Sequence, residues 1–183
     1  PGEQTQGQNK MEEIEIGYGT WGTYGQYSLD IAVLRDGTVL NPMELRFPSR
    51  GLTKEVMLPN GVKVVLENND SRKNQHRRVV VPRDAVLLVY SETRTSGNMH
   101  RNIEVVDKEE VANAEVVVKE ETVEETKGNK RVRNYYEVLY VRITFRDGST
   151  REIPLQRSYV RTESELIGKP RVRVEHGKAV DKY

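Results

Sequence analysis

The chain of 183 residues carries 29 basic and 28 acidic side chains, and its formal net charge of +1 provides no overall field to attract nucleic acid or membranes. It has no cysteine, which excludes disulfides, thiolate catalysis and cysteine-ligated metal sites. No apolar run approaches the roughly 18 residues of a membrane-spanning helix, and no signal-peptide core is present. We therefore expect no membrane span and a cytoplasmic or virion-associated location. The abundance of Glu, Arg and Val is typical of heat-adapted proteins.

Short apolar stretches rich in β-branched residues alternate with polar, Gly-containing turns along most of the chain. This pattern predicts a mainly β fold, an antiparallel β-sandwich or barrel (jelly-roll-like) built from hairpins, with at most one or two short helices. Residues 1–13 are predicted to be a mobile N-terminal arm or an artificial leader. Residues 14–183 are predicted to form a single β-rich domain with a long charged hairpin at 115–145.

The first half of the chain contains two predicted hairpins. "SLDIAVL" at 28–34 is predicted to be a strand that turns at Asp36-Gly37, and "EVML" and "VKVVLE" flank a turn at Asn60-Gly61. Asp-Gly and Asn-Gly are favoured in such turns because both tolerate positive φ. The apolar region 79–90 is predicted to be a strand interrupted at Pro82, which has no N–H to donate to a ladder.

The second half contains one predicted helix start and one predicted long hairpin. Asp107, followed three residues later by Glu110, has the spacing of a capping box, after a predicted loop at 91–102. Val116, Val117 and Val118 form no helical stripe, and Leu139, Val141, Ile143 and Phe145 alternate, so two strands are predicted instead. A turn at Gly128-Asn129 would place Glu124 opposite Arg133.

A Gly- and aromatic-rich segment, "GYGTWGTYGQY" at 17–27, is predicted to be a loop. It contains G-x-G-x-x-G, but a dinucleotide site requires a helix after that motif, and a strand is predicted here instead. Its aromatic side chains recur every three residues. They are the leading candidate for an interaction surface: Tyr18, Trp21, Tyr24 and Tyr27.

Two further groups of side chains are typical of nucleic-acid contacts. The basic loop at 72–83 offers candidate phosphate ligands in Arg72, Lys73, Arg77 and Arg78. The strand at 131–145 offers candidate stacking residues in Tyr136, Tyr140 and Arg142, with Trp21 as a further ring. The alternative for both groups is structural, as a solvated loop and as residues that cover a sheet.

No catalytic, cofactor or metal site is predicted. His76, His100 and His176 lack the spacing of a metal site, and no nucleophile motif is present. The sequence therefore favours a non-enzymatic structural or assembly protein of the virion or surface-filament type, acting through self-association or with other protein subunits. The alternatives are a nucleic-acid-binding β-barrel module and an enzyme whose polar pocket the sequence does not reveal.

Overall fold

The computed structural model describes residues 12–167 and the backbone of two further strands, Val172–Glu175 and Lys178–Asp181. Strands account for 68% and helices for 4% of the structure, and the sheets are antiparallel. The predicted mainly β, antiparallel class with short helices is therefore confirmed. The sandwich or barrel is not confirmed, because no sheet in the described part of the chain closes on itself.

The strands vary from two to seventeen residues. They are β1 (Glu13–Trp21), β2 (Gln26–Leu34), β3 (Val39–Leu40), β4 (Thr53–Met57), β5 (Lys63–Asn68), β6 (His76–Pro82), β7 (Val86–Thr95), β8 (Asn98–Val105), β9 (Val111–Lys127), β10 (Lys130–Phe145), β11 (Thr150–Leu166), β12 (Val172–Glu175) and β13 (Lys178–Asp181). Two 3₁₀ helices, Pro42–Glu44 and Arg83–Ala85, are the helices within these residues.

The chain divides into two compact units. Unit 1 comprises Pro1–Val116 and Val141–Leu155, and unit 2 comprises Val117–Tyr140 and Gln156–Tyr183. Strands β9, β10 and β11 contribute residues to both units. The predicted N-terminal arm falls largely on residues 1–11, which lie outside the described residues, and β1 begins at Glu13.

Unit 1 is organised around an eight-stranded sheet in the order β4-β5-β6-β1-β2-β7-β8, with β3 also paired to β2. The central strand β2 is buried on both faces from Ile31 to Leu34, as expected for an apolar run flanked by other strands. Ile16 of β1, Leu66 of β5 and Val79 of β6 belong to one buried cluster with Leu34. Burial of such aliphatic side chains contributes about 1.5–3 kcal/mol each.

Both predicted hairpin turns in the first half are confirmed, and a later Arg-Asp-Gly turn at 146–148 has the same hydrogen bonds as the first. Asp36 accepts from the backbone N–H of Thr38 at 3.0 Å, and Asp147 accepts from that of Ser149 at 2.9 Å. These bonds, together with the bonds from the same residues' hydroxyls, lower the pKa of both carboxyls. The predicted break at Pro82 is also confirmed, since β6 ends there.

Three local predictions are wrong. Residues 107–114 contain no helix: Asp107 accepts from the N–H of Glu110 at 3.2 Å, but a single turn follows and β9 begins at Val111. The predicted loop at 91–102 is a hairpin, because Ser96 and Gly97 both adopt positive φ and close a tight turn. The predicted loop at 17–27 is also a hairpin, which turns at residues 22–25.

The three-stranded sheet β11-β10-β9 contains the predicted charged hairpin. Its two-residue connection is Gly128-Asn129, and Gly128 has a φ of +64°. The predicted pair of Glu124 and Arg133 is confirmed by a salt bridge of 2.6 Å. Opposite charges on β9 and β10 are therefore in direct contact across this hairpin.

Candidate interaction surfaces

The four candidate aromatic residues of the first hairpin do not form one surface. Tyr18 pairs with Leu29, and Tyr27 pairs with Thr20, so these two rings lie on one face of the sheet. Trp21 pairs with Gln26 on the other face and is 38% exposed. Tyr24 lies in the turn and is 87% exposed. Side chains of a strand alternate between its two faces, so rings spaced three residues apart do not share one face.

Tyr27 belongs to a buried polar network in unit 1 that the sequence did not indicate. The Glu92 side chain is only 4% exposed and accepts hydrogen bonds from the hydroxyls of Tyr27 and Tyr90, the latter at 2.6 Å. Arg101 Nε donates to the Tyr90 hydroxyl at 3.2 Å. Cross-strand pairing brings these groups together, because Glu92 lies opposite both Leu29 on β2 and Arg101 on β8.

The network keeps both phenols protonated. Burial, followed by the hydrogen bond to Glu92 and its negative charge, raises the pKa of Tyr27 to about 12. The same causes raise the pKa of Tyr90, with Arg101 acting in the opposite direction. A buried carboxylate that accepts from two phenols is a satisfied structural group. The sequence offered Tyr90 and Glu92 two residues apart, but the wrong loop prediction at 91–102 concealed Arg101.

The candidate phosphate ligands fall into two pairs. Arg77 forms a salt bridge of 3.0 Å with Asp70 and also lies 5.5 Å from the centre of the Phe47 ring. Arg78 contacts Glu67 at 2.7 Å and Glu15 at 3.2 Å. Arg72 and Lys73 are exposed in the connection between β5 and β6, with no hydrogen bond or ion pair to any residue in the described part of the chain.

Carboxylates therefore neutralise Arg77 and Arg78, the two arginines of this basic loop that lie in β6. Burial acts to raise the pKa of Asp70, but the hydrogen bonds from Arg77 and from the His76 N–H outweigh it and lower that pKa. The bond to Glu67 is the main cause of a raised pKa for Arg78. Both arginines already have anionic partners.

One face of the unit 2 sheet, here called the acidic face, is a ladder of paired charges. Arg131 contacts Glu165 at 3.1 Å, and Arg161 lies 3.9 Å from the centre of the Tyr135 ring. On the same face, Arg133 donates to Glu124, and the Tyr135 hydroxyl donates to Glu163. A depression of about 110 Å³ lies among these side chains: Arg131, Arg133, Glu163, Ser164 and Glu165.

The opposite face, here called the aromatic face, carries the even-numbered side chains of β10. The Arg157 guanidinium lies 3.7 Å from the centre of the Tyr136 ring, and Tyr159 meets the same ring edge-on with 6.0 Å between centroids. Lys119 lies 5.1 Å from the centre of the Tyr140 ring, whose hydroxyl donates to Glu121 at 2.5 Å. Cations therefore already lie beside the predicted stacking rings.

Strand β11 is irregular where it borders the aromatic face. The Tyr159 hydroxyl and Thr162 Oγ1 are 2.6 Å apart, and Thr162 also donates to Asn134. Residues three apart point to opposite faces of a regular strand, so β11 contains a bulge between Tyr159 and Thr162. Tyr159 lies two residues after Arg157, so strand alternation places both side chains on the face of Tyr136.

Charge is divided unequally between the two faces of the described sheet in unit 2. Strand alternation and the contacts above assign each charged side chain to a face. The aromatic face has four bases and two acids: Lys119, Lys127, Lys130, Arg157, Glu121 and Glu125. The acidic face has three bases and five acids: Arg131, Arg133, Arg161, Glu120, Glu124, Glu137, Glu163 and Glu165. The aromatic face is thus net positive and the acidic face net negative.

Arg142, the third candidate stacking residue, belongs to unit 1. Its guanidinium bonds to Glu152 at 2.7 Å and to Glu115 at 3.0 Å. These two bonds, that to Glu152 first, raise the pKa of Arg142. Arg142 is therefore an ion-pairing residue between strands β9 and β11, and it does not cover an aromatic ring.

The histidines and a cleft of unit 1 are the remaining polar features of the described residues. His76 and His100 lie exposed on β6 and β8, His176 lies outside the described residues, and no metal-binding cluster occurs among the described acids and histidines. A cleft of about 490 Å³ in unit 1 has mixed charge, from Glu12, Arg35, Arg83, Asp84, Asp107, Lys108 and Glu109. Neither helix in the described ranges has the length or apolarity to cross a membrane.

Comparison with family models, with curated proteins and with solved structures gave no match. The functional assignment of the chain therefore depends on its own surfaces.

Proposed function

We propose that this is a non-enzymatic structural or assembly protein, of the virion or surface-filament type, that works by self-association. The single observation that carries the proposal is the small number of buried side chains in unit 2. Among its described residues, Val138 and Leu139 are the buried ones. Several large apolar side chains are exposed instead: Val118, Val123, Tyr159, Val160 and Leu166.

A sheet of this kind gains little stability from its own packing. Three strands need a buried hydrophobic face for independent stability, and cross-strand charge pairs contribute only about 0.2–1 kcal/mol. Apolar surface removed from water contributes about 25 cal/mol per Å². A second copy that covers the exposed apolar residues would supply the burial that unit 2 lacks.

Open sheet edges provide a second route to association, but they are modified here in ways that limit it. Of the described strands, β9 and β11 each have a neighbour, β10, on one side only. The edge of β9 is dense in glutamate at 120–125, and β11 carries its bulge. Charged side chains and bulges are common means of preventing uncontrolled strand addition. These features favour contact through side chains on the surfaces of the sheet.

Size-exclusion chromatography with light scattering tests the proposal on the full chain. The mass should exceed the monomer's 21.0 kDa and rise with concentration. Val160→Lys, which places a charge on an exposed apolar site of unit 2, should shift the mass toward the monomer. Met57→Lys is the matched control, since Met57 is an exposed apolar residue of unit 1 and should tolerate the charge. A monomer at every concentration would overturn the proposal.

The alternative function, a nucleic-acid-binding β-barrel module that uses the 72–83 loop, has less support. Arg77 and Arg78 are each held by carboxylates, which leaves Arg72 and Lys73 as the loop's uncompensated bases. Two phosphate contacts give weak binding with a shallow salt dependence, because the salt slope grows with the number of contacts. The observations that favour nucleic acid lie on a different surface, in unit 2.

A further inference from the structure

The aromatic face of unit 2 combines rings, cations and hydrogen-bonding groups on an open antiparallel sheet. Tyr159 is 61% exposed, and its ring lies edge-on to Tyr136. Arg157 lies over Tyr136, while Asn134 and Thr162 present polar groups beside these rings. We propose that this face binds single-stranded nucleic acid, with Tyr136 and Tyr159 as the stacking platform and Arg157 as the principal cation.

The chemistry of the face fits that ligand class. Unpaired bases stack on exposed aromatic rings and on arginine guanidinium groups, while nearby cations follow the phosphates. Lys130 lies at the turn on the same face, together with Lys127, which pairs with Glu125 at 3.3 Å. The cations therefore extend along the sheet from Arg157. The acidic face, with its excess of glutamates, repels a polyanion, so binding is confined to one side.

A duplex ligand and a second copy of the chain fit this face less well. A duplex has its bases stacked internally, and groove readers insert a helix or a two-stranded ribbon, whereas this surface is a three-stranded sheet. Two aromatic faces packed together would bring like charges into contact, because each is net positive. The single-stranded ligand uses both the rings and the positive charge, and this inference does not depend on self-association.

Fluorescence anisotropy of a labelled oligo(dT) and of an oligo(U), titrated with the full chain at several salt concentrations, tests the site. Four cations on the face set the expected salt dependence, a slope of log K against log salt no steeper than about −3. Tyr159→Ala should weaken binding about tenfold, the loss of one stacked base. Arg157→Gln should reduce the slope by about 0.7, the value of one single-strand phosphate contact.

Matched controls separate this face from general basic character. Arg131→Gln removes one arginine from the same sheet on the acidic face, and Tyr24→Ala removes an exposed tyrosine in unit 1. Both should bind with the affinity and salt slope of the unchanged chain. Circular dichroism of each variant confirms that the β-sheet signal is retained.

The outcomes distinguish the ligand from its alternatives. The proposal is supported if Tyr159→Ala and Arg157→Gln lose affinity and the two control variants do not. Absence of binding at low salt, equal losses in the controls, or equal affinity for duplex DNA would each overturn it. If Tyr159→Ala instead converts an oligomer to a monomer without any oligonucleotide binding, the face is a self-contact. In that case the nucleic-acid inference fails while the proposed self-association stands.

Discussion

Glu92 on β7 accepts a hydrogen bond of 2.6 Å from the hydroxyl of Tyr90, two residues earlier on the same strand, while Tyr27 on β2 donates to the other carboxylate oxygen. Both phenols use the same carboxylate because β2 and β7 are neighbours in the sheet. The carboxylate is buried, so its charge is balanced by donors and not by water. This network links the start of β2, beside the turn at 22–25, to β7 in unit 1.

Glu92→Ala should destabilise the protein by about 2–4 kcal/mol. The substitution leaves two phenol donors without their acceptor, and each unsatisfied buried polar group costs about 1–3 kcal/mol. The measurement is the free energy of unfolding in urea. Glu104→Ala, at an exposed position on β8, is the control and should change that energy by less than about 0.5 kcal/mol. Equal effects of the two substitutions would assign no stabilising role to the network.

Stability should fall between pH 10 and 12 because of the same network. The pKa of Tyr27 is raised to about 12 in the folded chain, whereas an unfolded tyrosine ionises near pH 10. The unfolded chain therefore loses its protons first, so the stabilisation is complete below pH 10 and declines as the pH rises toward 12. Tyrosinate absorbance should reveal late-titrating phenols among the nine tyrosines. Tyr27→Phe should remove part of that late phase, and a single phase near pH 10 would refute the raised pKa values.

Gly148→Ala should destabilise the β10–β11 turn by about 1–2 kcal/mol. Gly148 has a φ of +90°, a conformation that a Cβ atom disfavours even where, as here, the space around it is open. Gly19→Ala is the control, since Gly19 lacks a positive φ and its added Cβ would make ordinary contact. Thermal unfolding of both variants provides the comparison, and a stable Gly148→Ala chain would indicate a different turn conformation.

Amide hydrogen exchange should be slow through 116–118 and 139–143 and should quicken toward the turn at 127–130. The buried side chains Leu139, Val141 and Ile143 lie in the protected part of β10, whereas exposed charge pairs flank Gly128. Exposed strand ends open with little free energy. Mass spectrometry of peptides across 115–145 measures the gradient. Uniformly fast exchange would indicate that the strands do not form a stable hairpin in solution.

Local turn chemistry made much of the β-architecture predictable. The turns contain residues that tolerate the positive φ angles a tight hairpin requires, at Asp36-Gly37, Asn60-Gly61 and Gly128-Asn129. The hairpins around them could therefore be predicted from the sequence. The Glu124–Arg133 contact followed from that turn and from strand alternation. The predicted helix start failed because the capping bonds of Asp107 support one turn, while β-branched residues from Val111 onward favour a strand.

The candidate sites were less predictable because they depend on neighbours distant in sequence. Tyr18 and Trp21 appeared equivalent in a loop but lie on opposite faces once the hairpin forms. The arginines at 77 and 78 appeared available for phosphates until Asp70, Glu67 and Glu15 were placed beside them. Arg157 and Tyr159 were not predicted as partners of Tyr136, since that contact depends on the pairing of β10 with β11.

Sedimentation equilibrium of the full chain over a wide concentration range tests self-association most directly. Self-association predicts a weight-average mass that rises from 21.0 kDa on dilution to at least twice that value at high concentration. A single species of 21.0 kDa across the whole range would contradict it.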